Sequence, residues 1–124
     1  MNDKLEAKIT EAFPSMFKNM YGSPQETCMA FGIECGDGWF DLIYKLCEAI
    51  QQELQNNGNP PFTVDQVKEK FGSLRFYYSG YNNEAISSFI KIAEDISAVT
   101  CEQCGKPGKP TTKGWIKIRC SECQ

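Results

Sequence analysis

The chain has 124 residues, a formal net charge of −3, seven cysteines and no histidine. Its length fits one domain with room for a small appendage. Hydrophobic residues make up 41% and aromatic residues 12% of the chain, which excludes wholesale disorder. The lack of histidine excludes the commonest general base and every Ser–His or Cys–His nucleophile.

The sequence also indicates a compartment. No apolar run approaches the length of a membrane span, and residues 1–6 lack the basic-then-apolar pattern of a signal peptide. We therefore expect a cytoplasmic protein without a membrane partner. In a reducing cytoplasm, seven cysteines indicate metal ligands or buried thiols rather than a disulfide framework.

Charge is divided unevenly along the chain. Residues 1–100 carry 8 Lys/Arg against 14 Asp/Glu, a balance of −6, whereas residues 101–124 carry 5 against 2, a balance of +3. A bulk nucleic-acid-binding protein would present a basic face overall. An acidic body with a basic tail leaves only a small basic contact site.

Apolar spacing predicts helices in the first half of the chain. Apolar residues at steps of three and four occupy residues 3–20, and Pro14 divides them into two short helices. Residues 21–38 are predicted to form an ordered, glycine-rich loop. Asp37 is the predicted N-cap of a longer helix that runs to Leu54 and ends in the turn-forming residues 56–61.

Residues 62–80 allow two interpretations. One is a β-hairpin whose two-residue loop is Gly72-Ser73, a type II′ pattern with glycine first. That register places these apolar side chains on one face: Val67, Phe71, Leu74, Phe76 and Tyr78. The other interpretation is a short helix over residues 64–71, capped by Thr63. We favour the hairpin, because the strand after the loop needs a partner; a further helix is predicted over residues 83–99.

Four cysteines form the strongest motif in the sequence. Their spacing is C-x2-C-x15-C-x2-C, typical of a zinc site, and they are Cys101, Cys104, Cys120 and Cys123. Each C-x2-C pair can hold one side of a tetrahedron, and four closed ligands predict one structural zinc ion rather than a catalytic one. Zinc with four thiolates adds a charge of about −2, which lowers the balance of the tail to about +1.

Residues 114–119 are the predicted strand of this zinc ribbon. Alternation places Ile116 and Ile118 on one side, and Trp115, Lys117 and Arg119 on the other. An aromatic ring flanked by cations can stack on a base and contact a phosphate, so these three are candidate nucleic-acid contacts. We favour the alternative, in which Trp115 covers the junction with the main domain and the two charges face solvent.

An acidic group precedes the long helix. Glu34, Asp37 and Asp41 cluster around two glycines beside Trp39. These side chains could line a ligand pocket or coordinate a hard cation. N-capping of the helix is an equally good explanation for Asp37.

The hairpin carries a second candidate site. Its outward side chains would be Lys68, Lys70, Arg75 and Tyr77. Three cations in an otherwise acidic body could attract a small phosphate-bearing ligand or an acidic partner surface. A solvated strand face laced with Glu69 is the alternative.

Three cysteines lack metal-ligand spacing. Cys47 lies on the apolar stripe of the long helix and is predicted to be a core residue. Cys28 and Cys35 share a loop and could be redox-active, although buried reduced thiols are the commoner arrangement.

Three blocks of the sequence resemble a family of small proteins encoded by tailed phages and prophages. The blocks are residues 26–39 with GIECGDGW, residues 66–77 (QVKEKFGSLRFY) and residues 97–108 with the first cysteine pair. The resemblance spans nearly the whole chain. In similar proteins the last pair often ends Cys-x-x-His, which implies metal binding at Cys123. Others carry a long insertion where this chain has only residues 58–60. The family is uncharacterised, so the resemblance implies a genetic setting and no catalytic residues.

The expected fold class is α+β. About three helices pack on a small antiparallel sheet to form a domain over residues 1–99. A C-terminal zinc ribbon, residues 100–124, docks on that domain because only three residues separate it from the preceding helix.

The expected function is binding rather than catalysis. We predict a non-enzymatic phage or prophage accessory protein that blocks a host target in the host cytoplasm. Such counter-defence would inhibit a host immune protein or sequester a nucleotide signal. Nucleic-acid binding through the ribbon is the first alternative, and a small enzyme acting on a nucleotide is the second.

Overall fold

The computed structural model describes residues 1–20, 22–23 and 25–124. Within these residues the helices are α1 (Asp3–Ala12), α2 (Phe40–Asn56) and α3 (Glu84–Ser97). The strands are β1 (Ile33–Glu34), β2 (Phe62–Lys70), β3 (Ser73–Gly80), β4 (Lys109–Pro110) and β5 (Ile118–Arg119). Short 3-10 turns occupy Cys28–Phe31 and Asp37–Trp39. The α+β class predicted from the sequence is confirmed.

The main sheet is mixed rather than antiparallel. Its strand order is β1-β2-β3, with β1 parallel and β3 antiparallel to β2. Strand β1 has two residues, too few for apolar alternation to reveal it within a glycine-rich segment. Two hydrogen bonds tie this strand to the N-terminal segment. The Ile33 N–H donates to Glu6 Oε2 at 2.8 Å, and the Ile33 carbonyl accepts from the N-terminal amine of Met1 at 3.2 Å.

The hairpin prediction is confirmed, and the alternative helix over residues 64–71 is wrong. The predicted loop is also wrong by one residue, because Lys70 pairs with Ser73 and the turn residues are Phe71 and Gly72. Both turn residues have positive φ, +53° and +81°, as a type I′ turn requires. In this register Glu69 Oε2 accepts from the Gly72 N–H at 2.8 Å. The consequence is that Phe71 is exposed at the turn instead of packing in the core.

Only one of the two helices predicted before residue 21 forms. Helix α1 ends at Ala12, and residues 13–20 form hydrogen-bonded turns. Pro14 has no N–H to continue the helix. The carbonyl of Met16 is taken by the Val64 N–H of β2 at 2.8 Å, which ties this segment to the sheet.

Helices α2 and α3 pack against each other, and α3 packs on β3. The predicted apolar stripe of α2 also included Phe40, which is only partly buried. Its buried residues are Ile43, Leu46, Cys47, Ile50 and Leu54. Helix α3 begins after Asn83, whose side chain accepts from the Ile86 N–H at 2.9 Å. At its other end the buried Ser97 hydroxyl accepts from the Leu74 N–H at 2.9 Å, which joins α3 to β3. Among the described residues, no helix is both long and apolar enough to cross a membrane.

Candidate metal centre and its docking contacts

The four cysteines of the C-terminal motif converge on one point. The Sγ atoms of Cys101, Cys104, Cys120 and Cys123 all lie within 4.8 Å of one another. Sulfurs bound at about 2.3 Å to a tetrahedral ion would be about 3.8 Å apart, so the cluster needs little adjustment to hold one. These four residues could therefore hold a metal ion.

The backbone around the cysteines is built from two tight turns and a short ladder. Gly105 follows the first pair with φ +84°, and its N–H donates to the Cys101 carbonyl at 2.9 Å. The Cys123 N–H donates to the Cys120 carbonyl at 3.2 Å. Strands β4 and β5 connect the two turns. The predicted strand over residues 114–119 is thus shorter than expected, because only its last two residues pair.

Hydrogen bonds prepare one thiol of the cluster for ionisation. Burial alone would raise the pKa of Cys101, but backbone N–H groups of Cys120, Cys104 and Gln103 lower it to about 6. The pKa of Cys123 rises to about 12, chiefly because its thiol is hydrogen-bonded to Cys120. Because the thiolate is the ligand form of cysteine, the N–H groups around Cys101 favour metal binding.

The first cysteine pair docks on the GIECGDGW block. The Gly36 N–H donates to Glu102 Oε2 at 2.8 Å, and the Gly38 N–H donates to the Glu102 carbonyl at 2.7 Å. A Cβ atom on Gly38 would lie 2.2 Å from the Cys101 carbonyl oxygen, a distance that no side chain can occupy. The two glycines therefore allow the metal-binding turn to lie against this loop.

Trp39 belongs to the same docking contact. Its side chain is completely buried, and its Nε1–H donates to the Thr100 carbonyl at 2.9 Å. Trp39 therefore does not line a ligand pocket as the sequence predicted. Its indole instead joins the start of α2 to the residue before the first cysteine.

A second contact joins the ribbon to the hairpin. Lys117 Nζ lies 2.7 Å from Glu69 Oε1, and Arg119 lies 3.7 Å from Glu102. Burial raises the pKa of Glu69, but the Lys117 ammonium and the Gly72 N–H lower it by more. Lys117 thus joins the ribbon to the hairpin, whereas Arg119 pairs with Glu102 inside the ribbon.

Trp115 has the opposite placement to the one we favoured. Its side chain is 82% exposed and does not cover the junction. The physical reason is that the junction holds the largely buried carboxylate of Glu69, which Lys117 neutralises, while Arg119 pairs with Glu102 within the ribbon. Trp115 is the most exposed of the three candidate nucleic-acid contacts.

The three acidic residues between positions 34 and 41 lie in three separate surroundings and do not form one site. Glu34 lies on the sheet, where it accepts from Gln66 Nε2 at 3.5 Å. Asp37 is not the N-cap of α2; its two oxygens accept from the backbone N–H and side-chain amide of Asn2, at 2.7 and 2.9 Å. Asp41 lies in the first turn of α2. Among the described residues, the four cysteines alone bring three or more metal-ligating side chains together.

The cationic face of the hairpin forms despite the shifted register. Lys68 pairs directly with Arg75 across the strands, Lys70 pairs with Ser73, and Tyr77 pairs with Gln66. These side chains point away from the core. The opposite face of the hairpin contributes Val67, Leu74 and Phe76 to the core. Among the described residues, no carboxylate lies within 4.0 Å of the charged nitrogens of Lys68, Lys70 or Arg75.

The remaining cysteines are free thiols in separate environments. Cys47 is completely buried in α2, as predicted, and burial raises its pKa. Burial likewise raises the pKa of Cys35 to about 12. Cys28 is exposed. The structure therefore gives Cys28 and Cys35 no shared site.

Two residues that build the junction were not singled out from the sequence. Glu69 and Glu102 each accept from a glycine N–H and each contact a ribbon cation. Glu102 lies between two cysteines of the cluster, which is the one local signal for a structural role. The contacts that join the ribbon to the body, Glu102 with Gly36 and Glu69 with Lys117, span 66 and 48 positions, so no short motif marks them.

Comparisons with protein-family models, with curated proteins and with solved structures find no match to this chain. The role of the metal centre and of the exposed surfaces is therefore inferred from their own geometry.

Proposed function

We propose that this chain is a non-enzymatic binding protein. In this proposal it is an accessory protein of a phage or prophage that occupies a host target in the host cytoplasm. The genetic setting rests on the sequence resemblance described above. The binding role rests on the cationic face of the hairpin, defined by Lys68, Lys70, Arg75 and Tyr77.

The observation that carries the proposal is a like-charge pair in the sheet. Lys68 and Arg75 are direct cross-strand neighbours, and like charges in such positions destabilise a sheet. Glu34 lies beside Lys68 in the next strand but makes no ion pair with it. The Arg75 Nε is buried without a hydrogen-bond partner. An acidic protein surface or a phosphate-bearing ligand would relieve both costs.

The proposed metal is zinc, with a structural role. Four thiolates are a soft ligand set that suits Zn²⁺, and a complete set of four leaves no position for a substrate. The support is the close approach of the four Sγ atoms. Zinc would hold the two cysteine turns together, of which the first docks on residues 36–38, and so fix the ribbon beside the hairpin.

A charge-reversal experiment tests the binding role. The Lys68→Glu/Arg75→Glu variant should keep its fold, because both side chains lie outside the core. We expect it to lose at least tenfold in affinity for the host protein that co-purifies with the wild type, or for the nucleotide that binds the wild type in calorimetry. The control Lys4→Glu/Lys8→Glu changes the net charge equally at exposed positions of α1 and should bind normally.

The proposal fails if the wild-type protein retains no host protein and binds no nucleotide. It also fails if the control variant loses binding as much as the hairpin variant does. In that case net charge, rather than the cationic face, would determine association.

Nucleic-acid binding is a second candidate, favoured by one observation. Trp115 is 82% exposed, and an open indole can stack on an unpaired base. Against it, Lys117 is paired with Glu69 of the hairpin, and Arg119 is paired with Glu102 of the ribbon. A gel shift with single-stranded oligonucleotides at low salt tests this candidate, because phosphate contacts are strongest there.

A further inference from the structure

An exposed apolar patch lies where the hairpin turn meets the ribbon. Its members are Phe71, 63% exposed, Ile116, 44% exposed, and Trp115, 82% exposed. The turn and the ribbon are in contact, since a Cβ atom on Gly72 would lie 2.8 Å from Ile116 Cγ2. Phe71 precedes Gly72 and Trp115 precedes Ile116 in the chain, so the three exposed residues lie around this contact. We call them the tip.

Phe71 is an unfavourable residue for the turn that it forms. It has φ +53°, and the first position of a type I′ turn strongly favours Asn, Asp or Gly. An L-residue with a large side chain is strained in this region. The ring is 63% exposed, so burial does little to offset this strain. A residue that strains the backbone without packing in the core does not stabilise the fold. Such residues are typical of functional sites.

Trp115 is exposed but is carried by an ordered support. The Thr111 hydroxyl donates to the Trp115 carbonyl at 3.3 Å, and the Lys117 N–H donates to the same hydroxyl at 3.2 Å. The Lys117 ion pair with Glu69 then fixes this loop to the hairpin. The backbone that carries the indole is therefore preorganised, which lowers the entropic cost of binding.

The chemistry around the tip indicates what it binds. Lys70 Nζ lies 5.6 Å from the centre of the Phe71 ring, and Lys113 lies in the same loop as Trp115. An apolar centre with aromatic anchors and a charged rim is the usual arrangement of a protein-binding hot spot. The aliphatic Ile116 suits an apolar pocket and offers nothing to a base. Lys117 and Arg119, which would contact phosphates, are already paired.

We propose that the tip is the anchor with which this protein binds its partner. The partner surface is an apolar protein pocket rimmed by carboxylates. This inference rests on the proposed binding function and names the chemistry of the partner. The cationic face of the hairpin continues from the tip along β2 and β3, so one acidic surface can contact both.

Three single substitutions test the anchor. Phe71→Asn should raise the urea midpoint of unfolding, because Asn-Gly is the preferred type I′ pair, and yet weaken binding. Trp115→Ser should leave the midpoint unchanged and weaken binding as well. The control Ile92→Ser removes a 55% exposed apolar side chain from α3 and should bind normally.

The probe is a displayed library of short random peptides selected on the wild-type protein. We expect the enriched peptides to combine aromatic or aliphatic residues with Asp and Glu. They should bind Phe71→Asn and Trp115→Ser at least tenfold more weakly than the wild type and Ile92→Ser. A lower urea midpoint for Phe71→Asn overturns the inference, because Phe71 would then be stabilising the turn.

Further results distinguish a failure of the proposed anchor from a failure of the proposed binding function. Acidic peptides that bind both tip variants normally, but not Lys68→Glu/Arg75→Glu, overturn the anchor and leave the proposed function standing. A fluorescent oligothymidine that binds at low salt and quenches Trp115 overturns the protein partner in favour of single-stranded nucleic acid. A library without enriched peptides overturns the anchor, whereas the proposed function is decided by the charge-reversal experiment.

Discussion

Gly38 lies where two backbones approach too closely for any other residue. A Cβ atom there would be 2.2 Å from the Cys101 carbonyl oxygen and 2.6 Å from the Gly105 nitrogen. Neither neighbour is a flexible side-chain end that could move aside. Both belong to the turn that carries two thiols of the cysteine cluster, so the glycine acts on the candidate metal centre through the backbone.

We expect Gly38→Ala to destabilise the protein by about 1–3 kcal/mol, the usual cost of overpacking a close contact. It should also lower metal affinity, because the first cysteine turn must shift. Urea unfolding and competition with a chromogenic chelator measure the two effects. Gly58→Ala is the control: its φ of +82° adds backbone strain, but nothing lies within 4 Å, so its metal affinity should be normal. Equal metal affinity for Gly38→Ala and the wild type would contradict this account.

The two tryptophans show why exposure is hard to predict residue by residue. Trp39 adjoins acidic and glycine residues, which indicated a pocket, yet it is completely buried. The carbonyl that it binds belongs to Thr100, 61 positions away. Trp115 is exposed, and its neighbour Lys117 occupies the junction by pairing with Glu69, 48 positions away. Both contacts at the junction join distant parts of the chain, so no local pattern predicts them.

The Glu69–Lys117 pair is the main polar link between strand β2 and the ribbon. Its Glu69 side chain is 14% exposed, so solvent screens the pair less than it screens a surface pair. The pKa of Glu69 is lower in the folded protein than in the unfolded chain. The pair therefore stabilises the fold at neutral pH, and this contribution falls as the pH drops through the folded-state pKa of Glu69.

A double-mutant cycle isolates this link. Glu69→Gln, Lys117→Met and the double variant should give a coupling energy of about 1 kcal/mol at pH 7 by urea unfolding. The matched cycle on Lys91→Met and Asp95→Asn concerns a solvent-exposed pair within α3 and should give less. A coupling energy near zero for Glu69 and Lys117 would mean that apolar contacts alone hold the ribbon to the hairpin.

Long elements with a regular apolar pattern could be predicted from the sequence. Elements whose position depends on contacts with distant parts of the chain could not. Helices α2 and α3 bury most of the predicted apolar positions because one side of each helix faces a continuous core, although Ile96 at the end of α3 is 44% exposed. The hairpin could be predicted, but its register could not, because the turn is set by Glu69 and by contact with Ile116. Strand β1 was missed because two residues carry no period. The four cysteines could be located as a group because ligand spacing is itself local.

At the scale of the whole molecule, two of the sequence motifs serve to dock the ribbon. The GIECGDGW block contacts the first cysteine pair through Gly36, Gly38 and Trp39. The hairpin block contacts the ribbon through Glu69 and Gly72. Ile118 of the ribbon is almost completely buried and belongs to the main core. The ribbon thus closes one end of the core and at the same time presents Trp115 beside Phe71.

If the metal holds the ribbon in this position, its removal should loosen the junction as well as the tail. Chelation at neutral pH should release one metal ion per chain and lower the melting temperature. The chain has two tryptophans, and Trp115 is already exposed, so a Trp115→Phe background leaves Trp39 as the single reporter. In that background, chelation should shift Trp39 emission to the red, because its Thr100 partner moves with the ribbon. An unchanged melting temperature and emission, with no metal released, would contradict a metal-held junction. Released metal with unchanged Trp39 emission would show instead that the docking contacts hold the ribbon without the metal.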